Sequence, residues 1–247
     1  MNTRFRAHYR SEISYLDREL DALLQRSRFD DAVIAFTADH GESLGAHGID
    51  FQHLELYPDT THVPLILRWP DCPPGLRVRG AVHQLDLGRT LLDLAGVEAP
   101  DFPGRTLPVA EEAPDLGPVH TLNGLGDSAA RLEDGWLLIL HLQEHEIPGD
   151  RGRRFQRHEV ELFHFAEDPE CTEDLREAQP AKAKALRASL IEWLRAAAPE
   201  GLAKAADLDP EDLQALVELG YTGREPEDRT SWFPDRCDCE NCRLFTD

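Results

Sequence analysis

A short run of residues early in the chain combines side chains that bind hard metal ions. Asp39 offers a carboxylate oxygen, His40 offers a ring nitrogen, and Gly41 lets the backbone turn away sharply. At the end of a strand, such a turn can direct both side chains toward one ion. The tripeptide alone does not assign a metal site, because an ordinary polar turn carries the same residues and short motifs match by chance.

The residues that precede Asp39 favour a site at this position. Residues 32–36 are apolar, partly β-branched and flanked by charge, which predicts a buried strand. From His8 to Leu24, apolar residues recur three or four apart and predict an amphipathic helix. A helix that leads into a buried strand is half of a parallel α/β unit, and ligands collect at the carboxyl ends of such strands.

Several further elements are predicted after the metal-binding turn. A second buried strand is expected at 63–69, and leucines at helical spacing predict a helix over 82–96 that stops at Gly96. Prolines then accumulate in a connector over 100–118. The remaining predictions are a hairpin within 129–142, a strand at 160–165, a helix at 182–197, a short helix at 210–219 and a polar tail.

The overall charge limits the kinds of partner. The chain carries 47 acidic against 26 basic residues, a formal net charge of -21. Such a surface repels nucleic acids and anionic membranes, so neither is expected as a partner. An anionic substrate would need local positive charge, which a bound metal ion commonly supplies. No apolar run approaches the ~20 residues of a membrane span, and the compartment stays open between the cytoplasm and export.

Five segments, in this order, carry a resemblance to a known family: Thr37–Gly48, His62–Arg68, Gln84–Val97, Gly104–Leu107 and Glu161–Glu170. Together they resemble the sulfatase family of the alkaline phosphatase superfamily. The resemblance implies an α/β fold, namely part of an alkaline-phosphatase-like α/β/α sandwich with a mixed sheet. It also implies a division into the C-terminal part of a catalytic domain at 1–110, a small α+β subdomain with antiparallel strands at 111–200, and a cysteine-containing tail with a short helix at 201–247.

The resemblance also implies a reaction and roles for four residues. Relatives hydrolyse sulfate esters, so a small-molecule or carbohydrate sulfate ester is the expected substrate. Asp39 and His40 would ligate a divalent cation, most often Ca²⁺, with Mn²⁺ or Zn²⁺ in relatives that cleave phosphoesters. His53 would stabilise the leaving-group oxygen or the sulfate charge, and His47 would contact the substrate. Either histidine could instead be an ordinary loop residue held by backbone hydrogen bonds.

The family's nucleophile is not among these 247 residues. It is a formylglycine made from the Cys or Ser of a Cys/Ser-x-Pro-x-Arg motif, and the chain contains only near matches at Cys72 and Ser231. We therefore expect an incomplete site that is inactive alone, completed by a missing or separate N-terminal half. Alternatives are a phosphodiesterase or phosphonate monoester hydrolase of the same superfamily, and a non-catalytic sulfatase-like binding module.

Three of the five cysteines crowd the end of the chain as Cys237, Cys239 and Cys242. They could bind zinc, with Cys171 or a histidine as the fourth ligand. With no second matched pair of cysteines the spacing is weak evidence, and a disordered tail or a disulfide in an exported protein would explain it equally.

Overall fold

The computed structural model describes residues 2–26, 29–78, 80–107, 117–124, 126–147, 153–196 and 237–245. The chain divides into two compact units, the first comprising Met1–His53 with Asp59–Val119 and the second Leu54–Pro58 with His120–Asp247. The helix predicted at 210–219 lies outside the described residues. Within the described part, no helix is both long enough and apolar enough to cross a membrane.

The first unit contains helices α1, α2 and α3 and strands β1 and β2. Strands β1 and β2 pair antiparallel, with Ile34 opposite Arg68 and Thr37 opposite Leu65. A parallel α/β unit was expected around β1; among the described residues, the pair that β1 forms with β2 is antiparallel. In chain order the elements are α1 Asn2–Leu24, β1 Ile34–Thr37, α2 Pro58–Thr61, β2 Leu65–Arg68 and α3 Gln84–Leu94.

Burial of the first unit differs from the expectation of two buried strands. Ile66 on β2 is 62% exposed and Val33, just before β1, is 41% exposed. The apolar face of α1 is exposed as well, with Ile13 at 53% and Leu16 at 49%. An apolar run identifies residues suited to burial, but it does not say which polypeptide covers them, and the described part of this chain leaves these residues uncovered.

Helix α3 is fixed at its beginning by reciprocal hydrogen bonds. The His83 ring accepts from the backbone N–H of Leu85 at 3.2 Å, and the Asp86 carboxylate accepts from the backbone N–H of His83 at 3.0 Å. Asp86 also accepts from the backbone N–H of Arg105 at 2.8 Å and pairs with its guanidinium at 3.2 Å. Burial raises the pKa of this carboxyl, but the hydrogen bonds and the Arg105 charge together lower it, so Asp86 stays ionised.

The second unit is built on an antiparallel sheet. Its strands are β3 Val119–Leu122, β4 Ser128–Glu133, β5 Trp136–His141, β6 His145–Ile147, β7 Arg153–Phe155 and β8 Val160–Phe163, followed by helices α4 Pro180–Ala196 and α5 Glu240–Arg243. The order β3-β4-β5-β8 forms one sheet, and β6 and β7 form a separate hairpin. Asp134 and Gly135 close the β4–β5 hairpin with φ of 50° and 78°. Two positive values are typical of the type I′ turn that suits hairpin twist, so the predicted hairpin is confirmed.

Both faces of β8 are buried. Val160 and Leu162 pack with Leu138 and the apolar side of α4 in the core of the second unit. Between them, Glu161 is only 2% exposed, and its carboxylate accepts a hydrogen bond from the Tyr57 hydroxyl, with Oε1 and Oε2 at 2.9 and 2.7 Å from the hydroxyl oxygen. The side chains of this strand therefore alternate between its two faces as predicted, but both faces are buried: one lies in the apolar core and the other contains the hydrogen-bonded Glu161.

Candidate metal centre

The Asp39 turn follows β1 directly and depends on a glycine. The backbone N–H of Gly41 donates to the Thr60 carbonyl at 2.8 Å, so the turn lies against the backbone of α2. A Cβ atom at position 41 would lie only 2.0 Å from the Asp59 carbonyl oxygen. No larger residue fits here without moving α2, and this explains why Asp39 and His40 are followed by glycine.

Gln84, at the start of α3, holds the carbonyl groups of the same turn. Its side-chain amide donates to the Ala38 oxygen at 2.6 Å and to the Asp39 oxygen at 3.3 Å. These contacts fix the backbone from which the Asp39 side chain extends. No sequence signal marks this role, because Gln84 lies far from Asp39 along the chain and indicates only a helix start.

Asp39 and His40 direct two donor atoms to one place. The Nδ1 atom of His40 lies 2.7 Å from the Gly41 carbonyl oxygen, which requires a proton on Nδ1 and leaves the Nε2 lone pair free for a ligand. Nε2 lies 3.7 Å from Asp39 Oδ2. Two ligands of a single Ca²⁺ at about 2.4 Å and a right angle lie about 3.4 Å apart, so the pair fits one cation after a small adjustment.

The Asp39 carboxylate is ionised and accessible. Its side chain is 82% exposed. The backbone N–H of His40 donates to Oδ1 at 3.0 Å, and this bond, followed by the nearby His40 and His53 rings, holds the pKa of the carboxyl below its usual range. An exposed carboxylate with a lowered pKa is available as a metal ligand at neutral pH.

His53 is brought to the same place by ring stacking. Its ring lies parallel to that of His40, with 4.1 Å between centroids and 14° between planes. Its Nδ1 lies 3.7 Å from Glu42 Oε2, which is an ion-pair distance but too long for a hydrogen bond. Nδ1 of His53 and Oε1 of Glu42 are buried atoms without a hydrogen-bond partner in the described residues. We call Asp39, His40, Glu42 and His53 the Asp39 cluster.

One residue of this neighbourhood, Glu42, was not predicted, although it directly follows the glycine turn in sequence. His47 lies on a neighbouring 3-10 turn, Ala46–Gly48, and its φ is 55°. That turn is held by the Ser43 hydroxyl, which donates to Ile49 at 3.0 Å, and by Arg6 of α1, which donates to the Leu44 oxygen at 2.8 Å. The contact of His47 with substrate stays a prediction.

Comparison with known proteins identifies the family of this segment. The sequence profile of the sulfatase family matches residues 2–97. These residues are similar to the sulfatase family, and the match covers less than half of the chain. It is 37% identical over 98 residues to a choline-sulfatase from Rhizobium meliloti (strain 1021), a match covering 38% of this chain and 19% of the relative. It is also 36% identical over 67 residues to arylsulfatase K from Xenopus laevis, covering 27% and 12% respectively. The chain thus spans less than a quarter of the length of these relatives.

Solved structures support the same fold. A structure solved in complex with its substrate, D-glucosamine-2-N,6-O-disulfate, superposes with a TM-score of 0.58 at 24% identity, covering 72% of this chain and 37% of that one. A phosphonate monoester hydrolase from Silicibacter pomeroyi gives a TM-score of 0.57 at 23% identity, covering 77% and 40%. At these identities the likeness concerns the fold, and it confirms the predicted alkaline-phosphatase-like α/β fold class.

Proposed function

We propose that this chain is part of a sulfuric ester hydrolase and that the Asp39 cluster is one side of its metal-dependent active site. The observation that carries the proposal is the approach of Asp39 Oδ2 to His40 Nε2, at 3.7 Å, within a segment of the sulfatase family. The net charge of -21 adds a reason, because a sulfate ester needs positive charge at its binding site. A divalent cation held by Asp39 and His40 would provide it.

We assign a separate role to each residue at this site. Asp39 and His40 would hold the cation. Ca²⁺ is the first candidate, and Mn²⁺ or Zn²⁺ are the others. When bound, the cation neutralises the charge of the sulfate group and polarises the ester. His53 would donate a hydrogen bond to the leaving-group oxygen or the sulfate, with Glu42 orienting its ring. His47 would contact the substrate from its turn. Gln84 is a positioning residue, because it holds the backbone of Asp39.

We propose further that the nucleophile is supplied by polypeptide outside these 247 residues, so that this chain alone does not turn over sulfate esters. A Cys/Ser-x-Pro-x-Arg motif, the source of formylglycine, is absent from the 247 residues. The exposed apolar residues of α1 and β2, including Leu16 at 49% and Ile66 at 62%, support a partner segment that covers them. The division of the chain into a catalytic part, a small subdomain and a tail, with boundaries at residues 110 and 200, is also a proposal.

The substrate class proposed is a small-molecule or carbohydrate sulfate ester. Relatives of this chain include a choline-sulfatase and, at 35% identity over 99 residues, an N-acetylglucosamine-6-O-sulfatase from Bacteroides thetaiotaomicron. These names include one small-molecule sulfate ester and one carbohydrate sulfate ester. They support sulfate esters as the substrate class and do not select one substrate.

The test compares two samples. The first is the tagged chain alone. The second, which we call the assembly, is the complex captured on the tagged chain when its coding region is expressed together with the flanking genes. We expect hydrolysis of an aryl sulfate such as 4-nitrophenyl sulfate by the assembly only. In the assembly, His53→Ala should lower kcat about 100-fold or more, as for loss of one charge-stabilising donor. Asp31→Ala, an exposed carboxylate before β1, is the matched control and should retain activity. Turnover by the chain alone, preference for a phosphonate ester, or metal binding without hydrolysis would each contradict the proposal.

A further inference from the structure

The three cysteines near the end of the chain converge on one histidine. The Nδ1 atom of His158 lies 3.3 Å from Cys237 Sγ, 3.5 Å from Cys239 Sγ and 3.1 Å from Cys242 Sγ. All four potential ligand atoms lie within 4.8 Å of one another. We call these four residues the Cys₃His cluster. It belongs to the second unit, whereas the Asp39 cluster belongs to the first.

The spacing of these atoms matches a tetrahedral zinc site. With Zn–S of about 2.3 Å and Zn–N of about 2.1 Å, a tetrahedral angle places nitrogen and sulfur about 3.6 Å apart. The three measured nitrogen–sulfur separations, 3.1 to 3.5 Å, lie close to that value. Three thiolates and one imidazole form a standard zinc donor set, and they do not suit Ca²⁺ or Mg²⁺, which prefer oxygen.

Local backbone structure holds the cysteines in this arrangement. Cys239 precedes α5, and its Sγ accepts from the backbone N–H of Cys242 at 3.4 Å. The first turn of α5 therefore brings Cys239 and Cys242 to the same side. The guanidinium of Arg187, from α4, donates to Cys242 Sγ at 3.1 Å, which is the kind of contact that stabilises a thiolate ligand.

His158 is held by a different part of the fold. It lies between β7 and β8, is fully buried, and has a φ of 60° that a bulky residue rarely adopts. Its backbone N–H donates to the His141 oxygen at 2.6 Å, so the strained turn is anchored to β5. The side chain of Asn241, on α5, donates to the Arg157 oxygen at 3.0 Å. The two ligand-bearing segments are thus fastened together beside the cluster itself.

We propose that Cys237, Cys239, Cys242 and His158 Nδ1 bind one structural Zn²⁺ ion. Four protein ligands complete the tetrahedron and leave no open position, so the site stabilises structure and does not perform catalysis. On binding, the three thiols lose their protons to solvent and the imidazole binds in its neutral form. Among the described residues, Cys171 is outside the group. The ion would fasten residues 237–245 to the turn between β7 and β8 of the same unit. Phe245 also packs under the Arg187 guanidinium at 4.9 Å.

The proposal is tested on the full chain, purified without a histidine tag under reducing conditions. Elemental analysis should find about one zinc per chain, as expected for a single closed site. X-ray absorption at the zinc edge should give a first shell of three sulfurs and one nitrogen. This spectrum is collected on the unmodified protein, so it does not depend on whether a variant folds. A shell of oxygen and nitrogen, or an absence of zinc after growth in zinc-supplemented medium, would overturn the proposal.

Variants add a second, independent test. Cys239→Ser, Cys242→Ser and His158→Asn should each lose the zinc; asparagine is chosen at 158 because it tolerates a positive φ. Cys72→Ser is the matched control, since Cys72 is a free thiol outside the cluster. Zinc retained by His158→Asn, zinc lost from Cys72→Ser, or a disulfide within 237–242 found by mass spectrometry would contradict the assignment. The test is independent of sulfatase activity, so it can fail or succeed without affecting the proposed function.

Discussion

Replacing Glu161 by glutamine should destabilise the second unit, because the change removes one charge from a buried network. Glu161 accepts a hydrogen bond from the Tyr57 hydroxyl, shared between its two oxygens at 2.9 and 2.7 Å, and one from His141 Nε2 at 3.1 Å, and it forms an ion pair with Arg153. Glutamine keeps the shape of the side chain. It cannot, however, accept from all three donors, since one of its two polar atoms is itself a donor.

The size of the effect follows from the burial of the partners. Removing one member of a buried ion pair typically costs about 3–5 kcal/mol. The Arg153 side chain is 36% exposed and can turn toward water, which places the cost at the lower end. His141 and Tyr57 remain buried at 3% and 2% exposure. We therefore expect the free energy of unfolding to fall by about 3 kcal/mol at pH 7.

The same carboxylate gives this difference a pH dependence. Burial raises the pKa of Glu161, but hydrogen bonds from His141 and Tyr57 and the charges of His141 and Arg153 together lower it below the usual 4.5. A group with a lowered folded-state pKa stabilises the fold fully above its unfolded-state pKa and loses this contribution as the pH falls through the folded-state value. The gap between wild type and Glu161→Gln should thus be constant near neutrality and shrink below about pH 4.5.

Urea denaturation followed by tryptophan fluorescence measures this gap. Trp136 and Trp193 both pack against the core of the second unit, so their emission reports its unfolding. Glu146→Gln, an exposed carboxylate on β6, is the matched control and should change the free energy of unfolding by less than about 0.5 kcal/mol. Equal stability of wild type and Glu161→Gln at pH 7, or a gap that widens on acidification, would refute the reasoning.

Two further substitutions test the Asp39 turn and the core of the second unit separately. Gly41→Ala should weaken divalent-cation binding by the assembled protein at least about tenfold in calorimetric titration, because its Cβ would lie 2.0 Å from the Asp59 oxygen. Gly124→Ala, where a Cβ meets nothing within 4 Å, is the control, and unchanged affinity in Gly41→Ala would disprove the steric argument. Leu138→Ala, at a fully buried position, should lower the free energy of unfolding by about 2–5 kcal/mol in urea. Leu85→Ala, at 42% exposure, should cost far less, and equal losses would contradict the core assignment.

Local sequence signals predicted most elements of the fold. Helix α4, Pro180–Ala196, lies close to its predicted span because its apolar residues recur at helical spacing and bury on one side. The β4–β5 hairpin was also predicted, from the strand-like residues within 129–142, and its turn residues Asp134 and Gly135 adopt the positive φ values that such a turn requires. These signals lie within a few residues of the elements they specify, so a single sequence is enough to read them.

The environment of β1 was not predictable in the same way. Its apolar residues predicted burial, and the helix before it predicted a parallel α/β unit. In the described residues β1 pairs antiparallel with β2, and Ile66, opposite Phe36, is 62% exposed. Hydrophobic pattern reports what a strand can bury, but strand direction depends on how the chain returns between strands. The partner that covers a face is likewise absent from the strand's own sequence.

The Asp39 cluster and the Cys₃His cluster also contain side-chain contacts that a single sequence does not predict. Asp39 and His40 lie together because they are adjacent at a strand end. His53 was expected at the site from the family resemblance, its stacking on His40 is seen only in the structure, and the roles of all three stay predictions. Gln84 required the fold, since no local pattern marks its contact with the Asp39 backbone. Glu42 follows the glycine turn in sequence, but only the fold brings its carboxylate to His53. For the three terminal cysteines, the sequence left the fourth ligand undecided, and only the turn between β7 and β8 brings His158 to them.

Elemental analysis of the assembled protein, captured on a tagged copy of this chain, tests the central claim most directly. Calcium, or the manganese or zinc that replaces it, should be present in wild type and in Asp31→Ala and should be lost in Asp39→Ala. The zinc of the Cys₃His cluster should stay in all three proteins and serves as an internal reference. An unchanged content of every metal in Asp39→Ala would contradict the account, because Asp39 would then not hold a metal ion.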